Sequence, residues 1–372
     1  MKDLVSKPSW DIFCRIVDNF GDIGVCWRLA KQLHIEHGLT VRLWVDDLSA
    51  AQKIIPQLNV NLNRQIIDKI SLLSWHAETN FNDAADVVIE AFACDLPAKY
   101  VSLMAQKKSK WINLEYLSAE TWVADFHAKP SPQANGLTRY FYFPGFAENT
   151  GGLIREKNQK LAHRSNKQHS FCKSLDLSTH NHLKVSLFCY PHAPIESLLT
   201  AMAESKQPID CYVPASSILP KIGNFFGLST LNMGEIYSIK NLNLHALPFL
   251  TQTDYDALLA ACDVNFVRGE DSWVRAIWAA KPFIWQPYFQ EENTHIEKLN
   301  AFLNRFYTDF KEKKTVFQAH SDWVEAQLSP ATWQDYLNQL PYIAEYTSQQ
   351  SQKLTKQADL ATKLVDFCNK VA

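Results

Sequence analysis

The sequence predicts an α/β protein built of two doubly wound units. Short apolar, β-rich runs alternate with segments of helical period almost from end to end, which is the pattern of parallel sheets with crossover helices. That alternation stops once near the middle and then restarts, and 372 residues at roughly 150 per domain give two cores. Residues 10–17 read as a strand, 24–37 as a helix closed by Gly38, and 40–45 as a second strand. Strands follow at 70–75, 85–91 and 111–116, with helices at 49–58 and 97–108. Lys129, Pro130, Ser131 and Pro132 break regular structure, and 155–182 is polar, basic and without periodicity. A first domain is therefore expected over 1–155 and a linker over 156–182. Strands resume at 183–190, 209–213, 242–247, 263–267 and 282–285, with helices at 194–204, 254–261 and 272–280, giving a second domain over 183–350. In the closing segment 351–372, Leu354, Ala358, Ala361, Val365 and Cys368 mark one apolar helix face. Ligands of such sheets bind outside the carboxyl ends of the strands, here expected in the cleft between domains.

Charge and composition remove several classes of function. With 37 Lys+Arg against 39 Asp+Glu and a net charge of −2, the chain lacks the cationic excess that holds a nucleic-acid backbone. A hydrophobic fraction of 47% is too high for a disordered chain, and no run approaches the ~18 uncharged apolar residues of a membrane span. Lys2, Asp3, Lys7 and Pro8 interrupt the stretch where a secretory signal needs apolar continuity. A cytoplasmic protein without nucleic-acid or membrane partners is expected. The eight cysteines (Cys14, Cys26, Cys94, Cys172, Cys189, Cys211, Cys262 and Cys368) show no metal spacing and read as buried free thiols. His180 and His182 lack a third ligand, so no metal is expected. The basic residues Arg155, Lys157, Lys160, Arg164 and Lys167 read as a solvated loop.

The first strand runs into Asp18-Asn19-Phe20-Gly21-Asp22-Ile23-Gly24 and then a helix. A dinucleotide-binding protein places its glycine-rich phosphate loop at this point, but the GxGxxG spacing is missing and two carboxylates would repel a pyrophosphate. Asp18 and Asp22 suit a cation instead: they can hold a guanidinium in charge-assisted hydrogen bonds or act as a general base. The plainer alternative is that one of them only caps the helix. Glu90, and Glu115 with Tyr116, add carboxylates and a phenol at the same sheet edge.

In the second half, the strand ending at Val267 runs into Arg268-Gly269-Glu270-Asp271-Ser272 and a helix. Glycine permits close backbone approach, Asp271 or Ser272 can cap, and a helix N-terminus favours a diphosphate. Arg268 adds charge, and Glu270 can accept hydrogen bonds from sugar hydroxyls. Phe188, Tyr190 and Phe249 bring aromatic rings to the same edge, where Gln252 can pair with the polar edge of a base. The alternative here is an ordinary capped helix beside core aromatics.

Four segments add a family resemblance: WDIFCRIVDNFGDIGVCWRLAKQL at 10–33, WINLEYLSAETWV at 111–123, FPGFAENTGGLIRE at 143–156 and FVRGEDSWVRAIWA at 266–279. Together they resemble the EarP family, the arginine rhamnosyltransferases of elongation factor P, over essentially the whole chain. The resemblance implies a GT-B glycosyltransferase with two Rossmann-like domains facing across a cleft. It further implies inverting transfer of L-rhamnose from dTDP-β-L-rhamnose to an arginine guanidinium of elongation factor P, which activates that factor against polyproline stalling, with no metal or other cofactor. By the same resemblance Asp18 and Asp22 are the essential carboxylates, with Asp22 as general base. Asn19, Phe20, Gly21, Glu115 and Tyr116 fall on the acceptor side. Phe188, Tyr190, Phe249, Gln252, Arg268, Glu270, Asp271 and Ser272 fall on the donor side. The rival readings are a GT-B enzyme acting on a small or lipid acceptor, a nicotinamide oxidoreductase, which the missing glycine fingerprint disfavours, and a non-catalytic sugar-binding protein.

Overall fold

Continuous burial from Trp10 to Cys14 marks β1 (Ser9–Cys14) as a central strand, and it lies inside an eight-stranded sheet. Around it lie β2 (Thr40–Val45), β3 (Arg64–Ile67), β4 (Ile70–Ser74), β5 (Val87–Ala91), β6 (Lys110–Leu114), β7 (Lys129–Pro132) and β8 (Thr138–Tyr142). The strand order is β3-β4-β2-β1-β5-β6-β8-β7, parallel throughout except for the antiparallel edge strands β3 and β7. The computed structural model describes residues 8–18, 20–157 and 181–371. Asn19, Cys172, His180, Lys160, Arg164 and Lys167, along with most of the expected linker, lie outside them.

The crossover helices of this sheet are α1 (Gly21–His37), α2 (Leu48–Ile54), α3 (Ala98–Lys107) and α4 (Val123–Phe126). Gly38 closes α1 in the left-handed region at φ 64°, a conformation that costs glycine nothing. One charged cluster is buried in the sheet. Arg42 donates to Asp11 through Nε at 2.6 Å and Nη2 at 2.7 Å, and the Tyr100 hydroxyl donates to the same carboxylate. Burial pushes the Asp11 carboxyl up, and the Arg42 bonds oppose that rise. A buried charge is tolerable only when paired in this way.

The second sheet has six strands in the order β11-β12-β10-β9-β13-β14. These are β9 (Leu183–Leu187), β10 (Ile209–Pro214), β11 (Ile236–Ile239), β12 (Leu242–Leu247), β13 (Val264–Arg268) and β14 (Phe283–Gln286), with only β11 antiparallel. Its helices α5 (Ile195–Ala203), α6 (Leu219–Phe225), α7 (Gln252–Ala261) and α8 (Asp271–Ala279) are followed by four more: α9 (Thr294–Phe306), α10 (Lys313–Val324), α11 (Pro330–Asn338) and α12 (Leu340–Leu354). Trp323 and Trp333 from this helical run pack on Phe266 of β13 at 4.6 and 5.8 Å. No helix among the described residues is long and apolar enough to cross a membrane.

The structure adds strands β3, β8 and β11, which the sequence reading did not name, and corrects that reading at two expected elements. Residues 129–132, expected to break regular structure, form β7. This strand pairs with β8 alone, so the missing N–H groups of Pro130 and Pro132 face away from any ladder. The closing apolar face does not run through one helix either. Leu354 ends α12, and Asp359 starts α13 (Leu360–Lys370) as its N-cap. The described residues divide into two compact units, one reaching Lys157 and resuming at Gln357, the other running from residue 181 to Lys356. Thus α13 belongs with the first sheet. There the Asp359 carboxylate accepts from Thr362 N–H at 3.0 Å and from buried Gln32 Nε2 at 2.9 Å, and Phe367 packs on Tyr140 and Tyr142.

Because one carboxylate caps α13 and satisfies a buried amide on α1, Asp359→Ala removes both interactions. We expect a loss of about 2 kcal/mol, roughly one for the cap and one for the buried amide, read from the midpoint of urea unfolding.

Candidate active site

The acidic turn connects β1 to α1 at the carboxyl edge of the first sheet. Gly21 N–H donates to Asp18 C=O at 2.7 Å, which turns the chain into the helix. A Cβ at Gly21 would stand 2.9 Å from Asp18 Oδ2, so the turn requires glycine if Asp18 is to stay where it is. The N-cap position is held by Phe20, which makes no side-chain cap. Asp22, one residue inside the helix, points back instead. Its Oδ2 accepts from the backbone N–H groups of Val17 at 2.8 Å and Asp18 at 2.9 Å. The capping alternative therefore does not describe Asp22.

The remaining oxygen of Asp22, Oδ1, accepts one long hydrogen bond from the Tyr116 hydroxyl at 3.3 Å. Asp22 is only 2% exposed, and burial pushes its carboxyl above the ordinary range, with the negative charge of Asp18 adding to the rise and the two N–H groups opposing it. Asp18 is half-buried. Two carboxylates four residues apart, one destabilised as an anion, can receive a cation and a proton.

The neighbouring carboxylates differ in kind. Glu90 is buried and fully engaged: Trp111 Nε1 donates to it at 2.9 Å, Asp95 N–H at 3.1 Å, and Arg139 lies 3.6 Å away. It braces the sheet. Glu115, half-buried, accepts from Asn113 Nδ2 at 2.5 Å. The Tyr116 ring stacks on Phe92 at 4.3 Å and 12°. Lys53 lies 5.7 Å from the centre of the Phe20 ring.

In the second unit, Arg268 ends β13 with its guanidinium carbon 4.5 Å from the ring centres of both Phe188 and Tyr190. It is 7% exposed and makes no ion pair among the described residues. Gly269 follows at φ 61°. Ser272 bonds back onto the Arg268 backbone, accepting from its N–H at 3.0 Å and donating to its carbonyl. Glu270 occupies the N-cap of α8 without a side-chain cap. Gln252, at the start of α7, donates to Asp271 at 3.4 Å, and Phe249 lies partly exposed just before that helix. A bidentate pair from Arg275 to Asp256, at 3.0 and 2.7 Å, fastens α8 to α7. Seven of the eight expected donor residues are thus linked directly or are adjacent in the turn, with Phe249 beside them on the β12–α7 connection.

The sequence reading missed Gln286 and Tyr288. Gln286 ends β14 fully buried, its amide oxygen accepting from Tyr190 N–H at 2.8 Å and its amide nitrogen donating to His192 Nε2 at 2.9 Å. Burial pushes the His192 ring toward its neutral form, as that acceptor role requires. Tyr288 meets Tyr190 edge-on at 5.7 Å. A polar residue closing an otherwise apolar strand was the available signal. His182 proves to be paired with Asp210 at 3.0 Å.

A family model described as Elongation-Factor P (EF-P) rhamnosyltransferase EarP matches residues 10–369. The chain belongs to the EarP family. It is a glycosyltransferase of GT-B fold. Among EarP-like relatives, the protein-arginine rhamnosyltransferase of Pseudomonas aeruginosa is 40% identical over 96% of this chain and 98% of its own length, and that of Pseudomonas putida is 41% identical over 97% and 98%. The solved structure described as the structural basis for EarP-mediated arginine glycosylation of translation elongation factor EF-P is 30% identical, with a TM-score of 0.69 over 98% of this chain and 100% of that one. The spinosyn rhamnosyltransferase SpnG complexed with thymidine diphosphate shares the fold at 9% identity, with a TM-score of 0.52 over 97% and 99%.

The raised pKa of Asp22 means that folding favours its protonated form. Stability is therefore lost as pH rises through its folded pKa, and Asp22→Asn removes that loss. The variant should melt at or above the wild-type temperature at pH 7, with the difference shrinking toward acid, as measured by calorimetry.

Proposed function

We propose that the protein transfers L-rhamnose from dTDP-β-L-rhamnose, with inversion at the anomeric carbon, to a guanidinium nitrogen of one arginine of elongation factor P. The observation that carries this reading is the acidic turn, where two carboxylates in an EarP-family chain are built for a cation rather than a phosphate. The second unit supplies the complementary chemistry. Arg268 and the N-terminus of α8 receive the diphosphate, Phe188, Tyr190 and Phe249 offer ring faces to the base, Gln252 offers it a polar partner, and Glu270, Asp271 and Ser272 line the turn for donor hydroxyls and phosphate.

The reacting groups constrain the order of events. An ordinary carboxylate cannot strip a proton from arginine first, because roughly nine pKa units at about 1.36 kcal/mol each cost about 12 kcal/mol. The carboxylates of Asp18 and Asp22 instead orient the guanidinium and localise its charge on the far nitrogens. The guanidinium nitrogen relieved of that charge then attacks the anomeric carbon as the bond to the diphosphate oxygen breaks. As the C–N bond forms the nitrogen becomes acidic, and its proton passes to Asp22, whose raised pKa makes it the better acceptor. The electron pair leaves with dTDP, whose added charge falls on Arg268 and the helix N-terminus. Those groups supply the neutralisation for which other transferases recruit a metal ion. Phe20, Gly21, Glu115 and Tyr116 border the acceptor side, and Asn19 belongs with them by its place in the motif. A cytoplasmic location fits an acceptor that serves translation and the seven buried free cysteines among the described residues.

Intact-mass measurement of elongation factor P after incubation with the protein and dTDP-rhamnose should show one added deoxyhexose, which fragmentation places on one arginine. Unchanged mass with folded components refutes the reading. In the same assay Asp22→Asn should reduce turnover about a thousand-fold, within the usual range for losing a general base, while calorimetric affinity for the donor stays within two-fold.

Glu270→Ala should weaken dTDP-rhamnose binding about ten-fold in calorimetry. Unchanged affinity would remove Glu270 from the donor site.

A further inference from the structure

The connection that follows β5 is held in a conformation that its residue types resist. Phe92, Ala93 and Asp95 lie at φ 56°, 50° and 56°, in the left-handed region that residues with a Cβ occupy only when their surroundings impose it. Here the surroundings do so. Phe92 N–H donates to the Leu114 carbonyl at 2.7 Å, Ala93 N–H to Asn113 Oδ1 at 3.2 Å and Asp95 N–H to Glu90 Oε1 at 3.1 Å. Between them Cys94 is buried in the apolar core of the first unit, where its thiol donates to the Phe13 carbonyl at 3.5 Å. Glycine would make the same turn without this penalty, yet the first strained position carries a phenylalanine.

The contact made by that phenylalanine joins the turn to the acidic site. Its ring lies nearly parallel to the Tyr116 ring, 4.3 Å away. Tyr116 follows the end of β6 by two residues, is 37% exposed, and directs its hydroxyl to Asp22 Oδ1 at 3.3 Å. A tyrosine with more than a third of its surface in water has rotamers to choose from, and a flat stack on a ring fixed by its own backbone narrows that choice. Asn113 ties the same turn to the residue before Tyr116, its amide oxygen accepting from Ala93 N–H and its amide nitrogen donating to Glu115 at 2.5 Å. The imposed turn after β5 thereby sets the place of a hydroxyl beside the turn before α1.

We propose that Phe92 is a positioning residue for the transfer step: held in the left-handed region, it fixes the Tyr116 ring so that the hydroxyl takes one side of Asp22 Oδ1 and leaves the other to the guanidinium. The proposal rests on the reading that Asp22 accepts the proton. A donated hydrogen bond favours the carboxylate over the acid, so the Tyr116 hydroxyl opposes the rise that burial and Asp18 impose and keeps more of Asp22 in the form that acts as a base. It also selects which lone pair meets the substrate, and transfer is sensitive to misplacements of about 1 Å. Other titratable side chains acting on Asp22 are Asp18 in its own turn and the buried Cys14 thiol at the end of β1; both stay intact when Phe92 or Tyr116 is replaced.

The test is a double-mutant cycle in the full chain with Phe92→Gly, Tyr116→Phe and the pair, read by steady-state rhamnosylation of elongation factor P. We expect each single variant to lower kcat about ten-fold and to move the acid limb of kcat/KM upward by about half a pH unit, with an unchanged circular dichroism spectrum. The pair should be within about two-fold of Tyr116→Phe alone, because Phe92 acts through the hydroxyl, and Phe92→Tyr, which keeps the ring, should restore kcat. Losses that multiply to about a hundred-fold in the pair mark a merely structural role and overturn the proposal, as does a Phe92→Gly protein with wild-type kcat and pH profile. If Phe92→Gly does not fold, Phe92→Leu is read against the same criteria with about a three-fold loss. The Asp22 carboxyl is also titrated by carbon-13 NMR, assigned against Asp22→Asn; both single variants should raise its midpoint, and an unmoved midpoint overturns the proposal whatever the turnover. Full activity in Asp22→Asn removes the base role and the proposal falls with it, whereas an inactive Asp22→Asn beside an indifferent Phe92→Gly overturns the proposal alone.

Discussion

The Asp22 carboxylate holds the acidic turn between β1 and α1. By taking the N–H groups of Val17 and Asp18 onto one oxygen, it folds the chain back before α1 begins and leaves its other oxygen turned toward Tyr116. Gly21 leaves the Asp18 side chain its place beside it, because a Cβ there would stand 2.9 Å from Asp18 Oδ2. A carboxylate held by two backbone donors but buried beside a second carboxylate is fixed in position without being fully stabilised as an anion. Position and reactivity therefore come from opposing terms in one small structure.

The second unit solves the inverse electrostatic problem. A nearly buried arginine without a carboxylate partner among the described residues is costly in an apolar setting, yet Arg268 is held by aromatic faces, which attract its charge weakly. Ser272 locks the backbone of the same residue, and the Arg275–Asp256 pair fastens the helix behind it. A carboxylate in place of the rings would satisfy Arg268 and weaken its attraction for an anion. The cation is positioned by packing so that its charge remains available.

Both turns were legible in the sequence because each is contiguous: a strand, a glycine with carboxylates or an arginine, then a helix. The central strands were legible through their apolar runs, to within a few residues at the ends. The antiparallel edge strands β3, β7 and β11, and β8 beside β7, were not. Pro130 and Pro132 read as breakers, since sequence carries no sign of which strand will lack a second neighbour. The tail read as one helix because Leu354 and the residues of α13 share a period by chance across a break that Asp359 caps. Gln286 and His192 are 94 residues apart, and no local pattern joins them. Phe188 and Tyr190 were visible as aromatics, whereas their embrace of Arg268 belongs to the sheet that brings β9 beside β13.

Glu90 shows why residue type alone does not define the acidic site. In sequence it resembles Asp22, an acid near the end of a buried strand at the same sheet edge. In the structure Trp111, Asp95 N–H and Arg139 engage it, so an incoming guanidinium would have to displace partners already held in a low-dielectric setting, where a lost bond costs more than a new one returns. Asp22 holds its own partners on one oxygen and offers the other. The distinction lies in which acceptor positions the fold has already filled, and that count follows from the register of strands far apart in the chain. A carboxylate becomes a receptor for arginine when the fold stabilises its position and leaves part of its charge unanswered.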